Sequence, residues 1–157
     1  MTQIQPATSR DVPEVLQWLK AEKDEGGNGF YCNRKTIAKS FEAEQGLCAV
    51  EQNQIVGFVI FQMFTDGGNV DIVEVKPTAR RRRLGYQLLS AAVNYLREKG
   101  AKYVDAECFS TEGEALCRGY GFEDYADPRN YRDECDNVNL RLYLGSWRPR
   151  PPHPFSW

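Results

Sequence analysis

The sequence predicts an α+β (mixed α/β) domain built on one mixed sheet of about seven strands with about four helices. Three observations carry this reading. Apolar runs of period two and stretches of helical period follow one another in the order β-α-α-β-β-β-α-β-α-β-β. No internal repeat breaks that order. The length, 157 residues, favours one compact domain over two. With 41% hydrophobic and 27% charged residues, the composition excludes a wholly disordered chain.

Thr2 to Gln5 alternates and reads as a short strand ended by Pro6. Asp11 stands three residues before Glu14, a capping-box spacing, with Pro13 in the first turn. Val12, Val15, Leu16 and Leu19 then give a first helix to about Glu25, stopped by Gly26-Gly27-Asn28-Gly29. Asn33 is placed to cap a second helix with Ile37 and Phe41 on one face, ending at Gly46. Leu47 to Glu51 and Ile55 to Phe64 form a hairpin through a tight turn at Asn53-Gln54. After the turn Thr65 to Asn69, a fourth strand runs from Val70 to Lys76 and halts at Pro77. Leu84, Leu88, Ala92 and Leu96 mark a long amphipathic helix ended by Gly100, with Arg97 and Lys99 at its negative end. Tyr103 to Phe109 is a fifth strand, Glu112 to Tyr120 a short helix, Phe122 to Tyr125 a sixth strand, and Val138 to Leu144 the last. The domain is expected over 1–146. A tail, 147–157, is too rich in proline to be helix or central strand.

Several function classes fall away on composition. Twenty Lys+Arg against 22 Asp+Glu give a net charge of −2, which argues against a surface built to grip nucleic acid. The longest apolar run, Ile55 to Phe64, is broken by Gly57 and Gln62 and is too short to span a bilayer. Met1 to Gln5 lacks the basic and apolar regions of a signal peptide, so a cytoplasmic location is expected, with no membrane partner. The five cysteines are irregularly spaced with no Cys-x-x-Cys, and the single histidine, His153, lies in the tail. A disulfide framework, a metal site and a histidine-centred triad are therefore all unexpected.

The informative stretch is Val70 to Leu89, where a strand passes through a proline turn and a basic loop into a long helix. The first N–H groups of a helix lack internal partners and carry the positive end of its dipole. Arg80, Arg81, Arg82 and Arg83 add cations there, and Gly85 permits close approach of a ligand such as a pyrophosphate. The same run also reads as a solvated, capped turn, and local evidence leaves both open.

Val75-Lys76-Pro77-Thr78-Ala79-Arg80-Arg81-Arg82-Arg83-Leu84-Gly85-Tyr86-Gln87-Leu88-Leu89 resembles the acetyl-CoA motif of the GNAT superfamily of N-acetyltransferases, Arg/Gln-x-x-Gly-x-Gly/Ala after an apolar strand. Arg80 matches its first position and Gly85 its last, while Arg83 replaces its first glycine. Glu114 to Phe122, ending Gly121-Phe122, is similar to the superfamily's short helix after the fifth strand. The resemblance implies a mostly antiparallel sheet splayed between strands 4 and 5. It implies acetyl-CoA as co-substrate, no metal, and acetyl transfer to a primary amine. Val73 and Val75 would bind the pantetheine arm through backbone, or serve only as core residues. Arg80, Arg81, Arg82, Arg83, Leu84, Gly85 and Tyr86 would hold the phosphates, and Ser110 would touch the cofactor further along.

Amine acetylation needs a base and an acid. Asp71 is the preferred base and Glu74 the second, each being also readable as a solvent-facing strand residue. Cys117 stands where the superfamily usually has its tyrosine acid; Tyr120 lies three residues off that register, and water is a further candidate. Acceptor loops are expected at Gly26 to Asn33 and in the acidic stretch 123–136, which would draw a cationic amine. Phe30, Tyr31, Tyr125 and Tyr131 are candidates for an apolar wall. Two competitors stand beside this reading. One is an acyl-CoA-binding or partner-binding module on the same fold. The other is a nucleic-acid binder using Arg80–Arg83 with Arg141, Arg148 and Arg150. Trp147, Phe155 and Trp157 in the tail need cover, from the domain near its last strand or from a second subunit in a homodimer.

Overall fold

Helices cover both faces of the sheet, which explains why the chain's longest apolar run does not alternate. The computed structural model describes residues 1–27, 29–125 and 138–145. In chain order the elements are β1 (Gln3–Pro6), α1 (Val12–Asp24), α2 (Arg34–Glu42), β2 (Gly46–Glu51), β3 (Gln54–Met63), β4 (Gly68–Val75), α3 (Leu84–Glu98), β5 (Tyr103–Cys108), α4 (Thr111–Tyr120), β6 (Glu123–Asp124) and β7 (Val138–Tyr143). The sheet runs β1-β2-β3-β4-β5-β7-β6. Its pairs are antiparallel except β4 with β5, which are parallel.

Residues 55–61 of β3 are all buried because each face meets a different layer. On one face Trp18 and Leu19 of α1 and Ile37 and Phe41 of α2 pack on Phe58, Ile60 and Ile72. On the other, Leu88, Ala92 and Leu96 of α3 pack on Val59, Phe61 and Val70. A side chain such as Phe58 or Leu88 contributes about 1.5–3 kcal/mol by such burial. Gly57 is required by the second layer, since a Cβ there would stand 3.0 Å from both Leu88 Cδ1 and the Glu74 carbonyl.

The element order matches the sequence reading, with local corrections. The capping box sits one turn earlier than the Asp11–Glu14 spacing suggests. Thr8 N–H donates to Asp11 Oδ2 at 2.8 Å around a 3-10 turn, and Asp11 places no side-chain cap on α1. Glu14 instead accepts from the Ile55 amide at 2.5 Å, tying α1 to β3. Asn33 occupies the cap position of α2 without a side-chain cap bond. The hairpin turn falls on Gln52 and Asn53, both at positive φ, one residue before the expected pair. Most of the acidic stretch 123–136, Tyr131, and the tail 147–157 lie outside the described residues.

One irregularity positions everything that follows. β4 and β5 pair only over Gly68–Val70 with Val104–Ala106. The β3–β4 register slips between Ile60↔Ile72 and Phe61↔Val70, leaving Asp71 as the extra residue of a bulge. A bulge bends its strand and sharpens the twist. Beyond Val70 the two parallel strands part, and the sheet opens between them.

Candidate active site

The backbone of the opening comes first. Lys76 N–H donates to Val56 O at 2.7 Å, and the register pairs Glu74 with Phe58 and Val73 with Val59. Antiparallel ladders alternate hydrogen-bonded and non-bonded pairs. The peptide groups of Val73 and Val75 therefore face away from β3, into the opening. The Val75 carbonyl is already taken there by Arg80 Nε at 3.0 Å. The Val73 and Val75 side chains pack meanwhile on the α3 layer, so they serve the core whatever their backbone groups meet.

At the far end of β4 lies a cleft of about 440 Å³ between the start of α3 and α4, lined by Val75, Gly85, Tyr86 and Leu116 among others. Arg81 and Arg83 adopt the left-handed conformation, with φ of 67° and 61°. That conformation costs a non-glycine residue about 1–2 kcal/mol. The amides of Leu84, Gly85 and Tyr86 form the first turn of α3, where N–H groups have no intrahelical acceptor; the ladder begins with Gln87 N–H donating to Arg83 O at 3.1 Å. Leu84 is buried and offers backbone only. A Cβ on Gly85 would meet Leu116 at an ordinary 3.5 Å, so protein packing does not demand glycine there. The added atom would instead project into the cleft. An elongated anion seated on these amides fits this cradle.

The four arginines are not equivalent. Arg80 Nη2 donates to Glu22 Oε1 and Glu74 Oε1, both at 2.7 Å. Arg82 makes a fork with Glu51 at 2.7 and 3.2 Å. Arg83 stacks on the Tyr86 ring, 4.9 Å from its centroid. Because one guanidinium serves two carboxylates, Glu74 is poorly neutralised. Burial, and then the Glu22 charge, push its carboxyl up to about 7.

A second cavity, of about 340 Å³, opens on the α1/α2 side of the same parting and contains Asp71. Gln62 Nε2 donates to Asp71 Oδ2 at 3.0 Å, and the Asn69 amide donates to Oδ1. Burial holds the Asp71 carboxyl above its ordinary value against these two bonds. Phe30, Asn33, Glu107 and Phe109 complete the wall. Glu74 lies outside this cavity, in the Arg80 network.

The acid candidates turn elsewhere. Tyr120 donates its hydroxyl to Ser90 Oγ on α3 at 3.4 Å and packs against Tyr86, with ring centroids 5.2 Å apart. Cys117 is buried, and its hydrogen bond with Cys108, together with burial, holds the thiol far above its ordinary value. Ser110 caps α4, its Oγ accepting from Gly113 N–H at 3.0 Å. Of the described members of the expected aromatic wall, Phe30, Tyr31 and Tyr125, only Phe30 reaches the second cavity. Tyr31 lies under Lys23 and Arg34, while Tyr125 stacks at 3.6 Å on Arg141. Arg141 is itself buried and forked to Asp105 at 2.6 and 3.0 Å, which removes it from any basic surface.

Sequence reasoning missed Gln62 and Asn69, which orient Asp71. The signals were a polar residue late in the apolar third strand and an Asn two residues before Asp71. Glu22 carried no signal, because its partner is 58 positions away. Among the described residues, no cluster of His, Cys, Asp and Glu is arranged to hold a metal, and no helix is long and apolar enough to cross a membrane.

The same architecture recurs in known proteins. The ribosomal-protein-S18-alanine N-acetyltransferase of Escherichia coli is similar at 20% identity, covering 98% of this chain and 100% of that one with a TM-score of 0.75. The PaiA N-acetyltransferase of Thermoplasma acidophilum, in complex with coenzyme A, matches at 13% identity over 92% and 99%, with a TM-score of 0.74. A polyamine N-acetyltransferase of Drosophila melanogaster matches at 12% identity over 92% and 100%, with a TM-score of 0.71. Such identities speak for the fold alone. Among curated proteins, none matches. The family comparison is made on sequence and runs from the first residue of α1 to Phe122, taking in β4, the arginine loop and α4. On that match, over residues 12–122, the chain belongs to the acetyltransferase (GNAT) family.

Proposed function

We propose that this protein transfers the acetyl group of acetyl-CoA to a primary amine, with the carrier in the Gly85 cleft and the acceptor beside Asp71. One observation carries the reading. The two cavities lie along one strand, the first lined by Val75 and the second by Val70, Asp71 and Ile72, where β4 has parted from β5, so a thioester along the β4 edge can meet an amine from the second. Acetyl-CoA supplies an activated acyl group; the chain's part is to hold, orient and move a proton. The amides of residues 81–86 hold phosphate, and the peptide groups of Val73 and Val75 orient an amide-bearing arm. Asp71, raised by burial and steadied by Gln62 and Asn69, takes the amine proton. Water, rather than Cys117 or Tyr120, returns a proton to the leaving thiolate. The aromatic and carboxylate wall favours an amine that arrives as a cation.

The direction of the two acid candidates also favours a second reading, an acyl-CoA-binding module with little turnover. Thiol release from acetyl-CoA, followed against a panel of small amines and peptide N-termini, separates the two. Release above the hydrolysis background for any amine supports transfer. A rise in Tm with CoA but no release with any amine supports the binding module. Absence of both overturns the assignment of the cleft.

A further inference from the structure

We propose that Cys108 and Cys117 form a reversible disulfide site, at which a peroxide converts the thiol contact between β5 and α4 into a covalent bond. Neither thiol takes part in the proposed transfer. Cys108 is the last residue of β5, and Cys117 follows nine positions later on α4. Both belong to one buried cluster. Cys117 is the single buried residue of α4, so a thiol is the most deeply seated group of that helix. Its S–H donates to the Cys108 sulfur. That bond holds the Cys108 thiol below its ordinary pKa, against burial and the charge of Glu114, with further lowering from Arg118 and raising from Glu107. Cys108 is then the nucleophile and Cys117 the resolving thiol. Each residue keeps 7% exposure, which leaves an edge for a small oxidant, whereas Cys48 is 0% exposed and its thiol is pushed up to about 12 by burial. Cys32 is exposed but lies apart, its thiol donating to Asn33 Oδ1 at 3.2 Å.

The chemistry balances with the peroxide as oxidant. The Cys108 thiolate attacks one peroxide oxygen and the O–O bond breaks, leaving a sulfenic acid and a hydroxide that takes up a proton. The Cys117 sulfur attacks the sulfenic sulfur; the S–S bond forms, the S–O bond breaks, and the hydroxyl leaves as water with the Cys117 proton. Two thiols lose two electrons and one peroxide becomes two waters. An S–S bond of about 2 Å is shorter than a hydrogen-bonded pair of sulfurs, so oxidation fixes α4 to β5. α4 carries Leu116 and Gly119 on the wall of the first cavity and sets Tyr120 against Tyr86, so the bond fixes that wall as well.

The test treats the folded full chain with hydrogen peroxide in slight excess, blocks the remaining thiols with N-ethylmaleimide in denaturant, and maps the peptides by mass spectrometry without reduction. The expected product is a Cys108–Cys117 linkage, with Cys48 recovered as the alkylated thiol. Dithiothreitol should return the reduced mass. The Tm of the oxidised chain should be no lower than that of the reduced chain, because the new bond closes a loop in the unfolded state. Cys117→Ser keeps a hydrogen-bond donor and removes the resolving sulfur, so Cys108 should stop as a sulfenic acid that dimedone traps. If that variant does not fold, the wild-type map alone decides. Recovery of Cys108 and Cys117 as free thiols after Cys32 has been oxidised overturns the proposal. So does pairing of either with Cys32 or Cys135 instead, oxidation of Cys48 alongside them, a linkage that lowers the Tm, or a folded Cys117→Ser chain with no dimedone adduct at Cys108.

Discussion

The two cavities that lie along β4 are made differently. The carrier cleft is built from backbone: helix-start amides, the free edge of β4, and a glycine that leaves room. The acceptor cavity is built from side chains whose direction depends on a bulge at Asp71 and on two amide donors from neighbouring positions. Backbone groups exist whatever the residue, so the first site tolerates Arg83 in place of glycine. On the proposed function the second would tolerate little, because its chemistry would rest on where one carboxylate points. The departures from the superfamily pattern therefore weigh differently. Arg83 leaves the helix-start amides in place, whereas Cys117, at the position of the superfamily's usual tyrosine, turns its thiol to Cys108.

The comparison breaks most sharply at Asp71. Asp71→Asn is expected to lower kcat/KM by about 10²–10⁴-fold while leaving CoA affinity nearly unchanged, measured by thiol release and calorimetry. Unchanged turnover would remove Asp71 from the chemistry. On the backbone side, Gly85→Asp should weaken CoA binding by about two orders of magnitude, since a carboxylate then faces phosphate in the cradle. Binding retained by a folded variant would mean that the phosphates lie elsewhere.

A smaller effect belongs to the Arg80 network beside the first cavity. Glu74 titrates near 7 when folded and near its ordinary carboxylate value when unfolded, so the folded state binds more protons between those values. Its contribution to stability is complete below the unfolded value and is lost as pH rises to about 7. Glu74→Gln should flatten that part of the stability curve, by at most about 3 kcal/mol between pH 4.5 and 8. Denaturant melts of wild type and variant across that range measure it, and parallel curves would show that Arg80 neutralises Glu74 fully. The smallest effect is expected from Tyr120→Phe, whose lost hydroxyl reaches only Ser90; kcat should change less than about threefold. A larger fall in kcat at constant Tm would return Tyr120 to the role of acid.

Much of this molecule is legible in its residue pattern. Helical and strand periods locate the elements, because burying one face requires apolar residues at that period. The run from Val75 to Leu89 is legible as a basic loop at a helix start, because unpaired N–H groups there need only a local sequence to exist. Contacts distant in the chain are not legible. Nothing local tells that Arg80 meets Glu22 and Glu74, that Arg141 lies between Tyr103 and Tyr125, or that Cys117 turns to Cys108. By itself the sequence determined the order of the elements and the basic loop at the start of the long helix, both consequences of short-range pattern. Only the tertiary structure decided which arginines are anchored, where the bulge turns Asp71, and which hydroxyl or thiol faces the opening. Those depend on register between strands and on partners brought close by the whole fold.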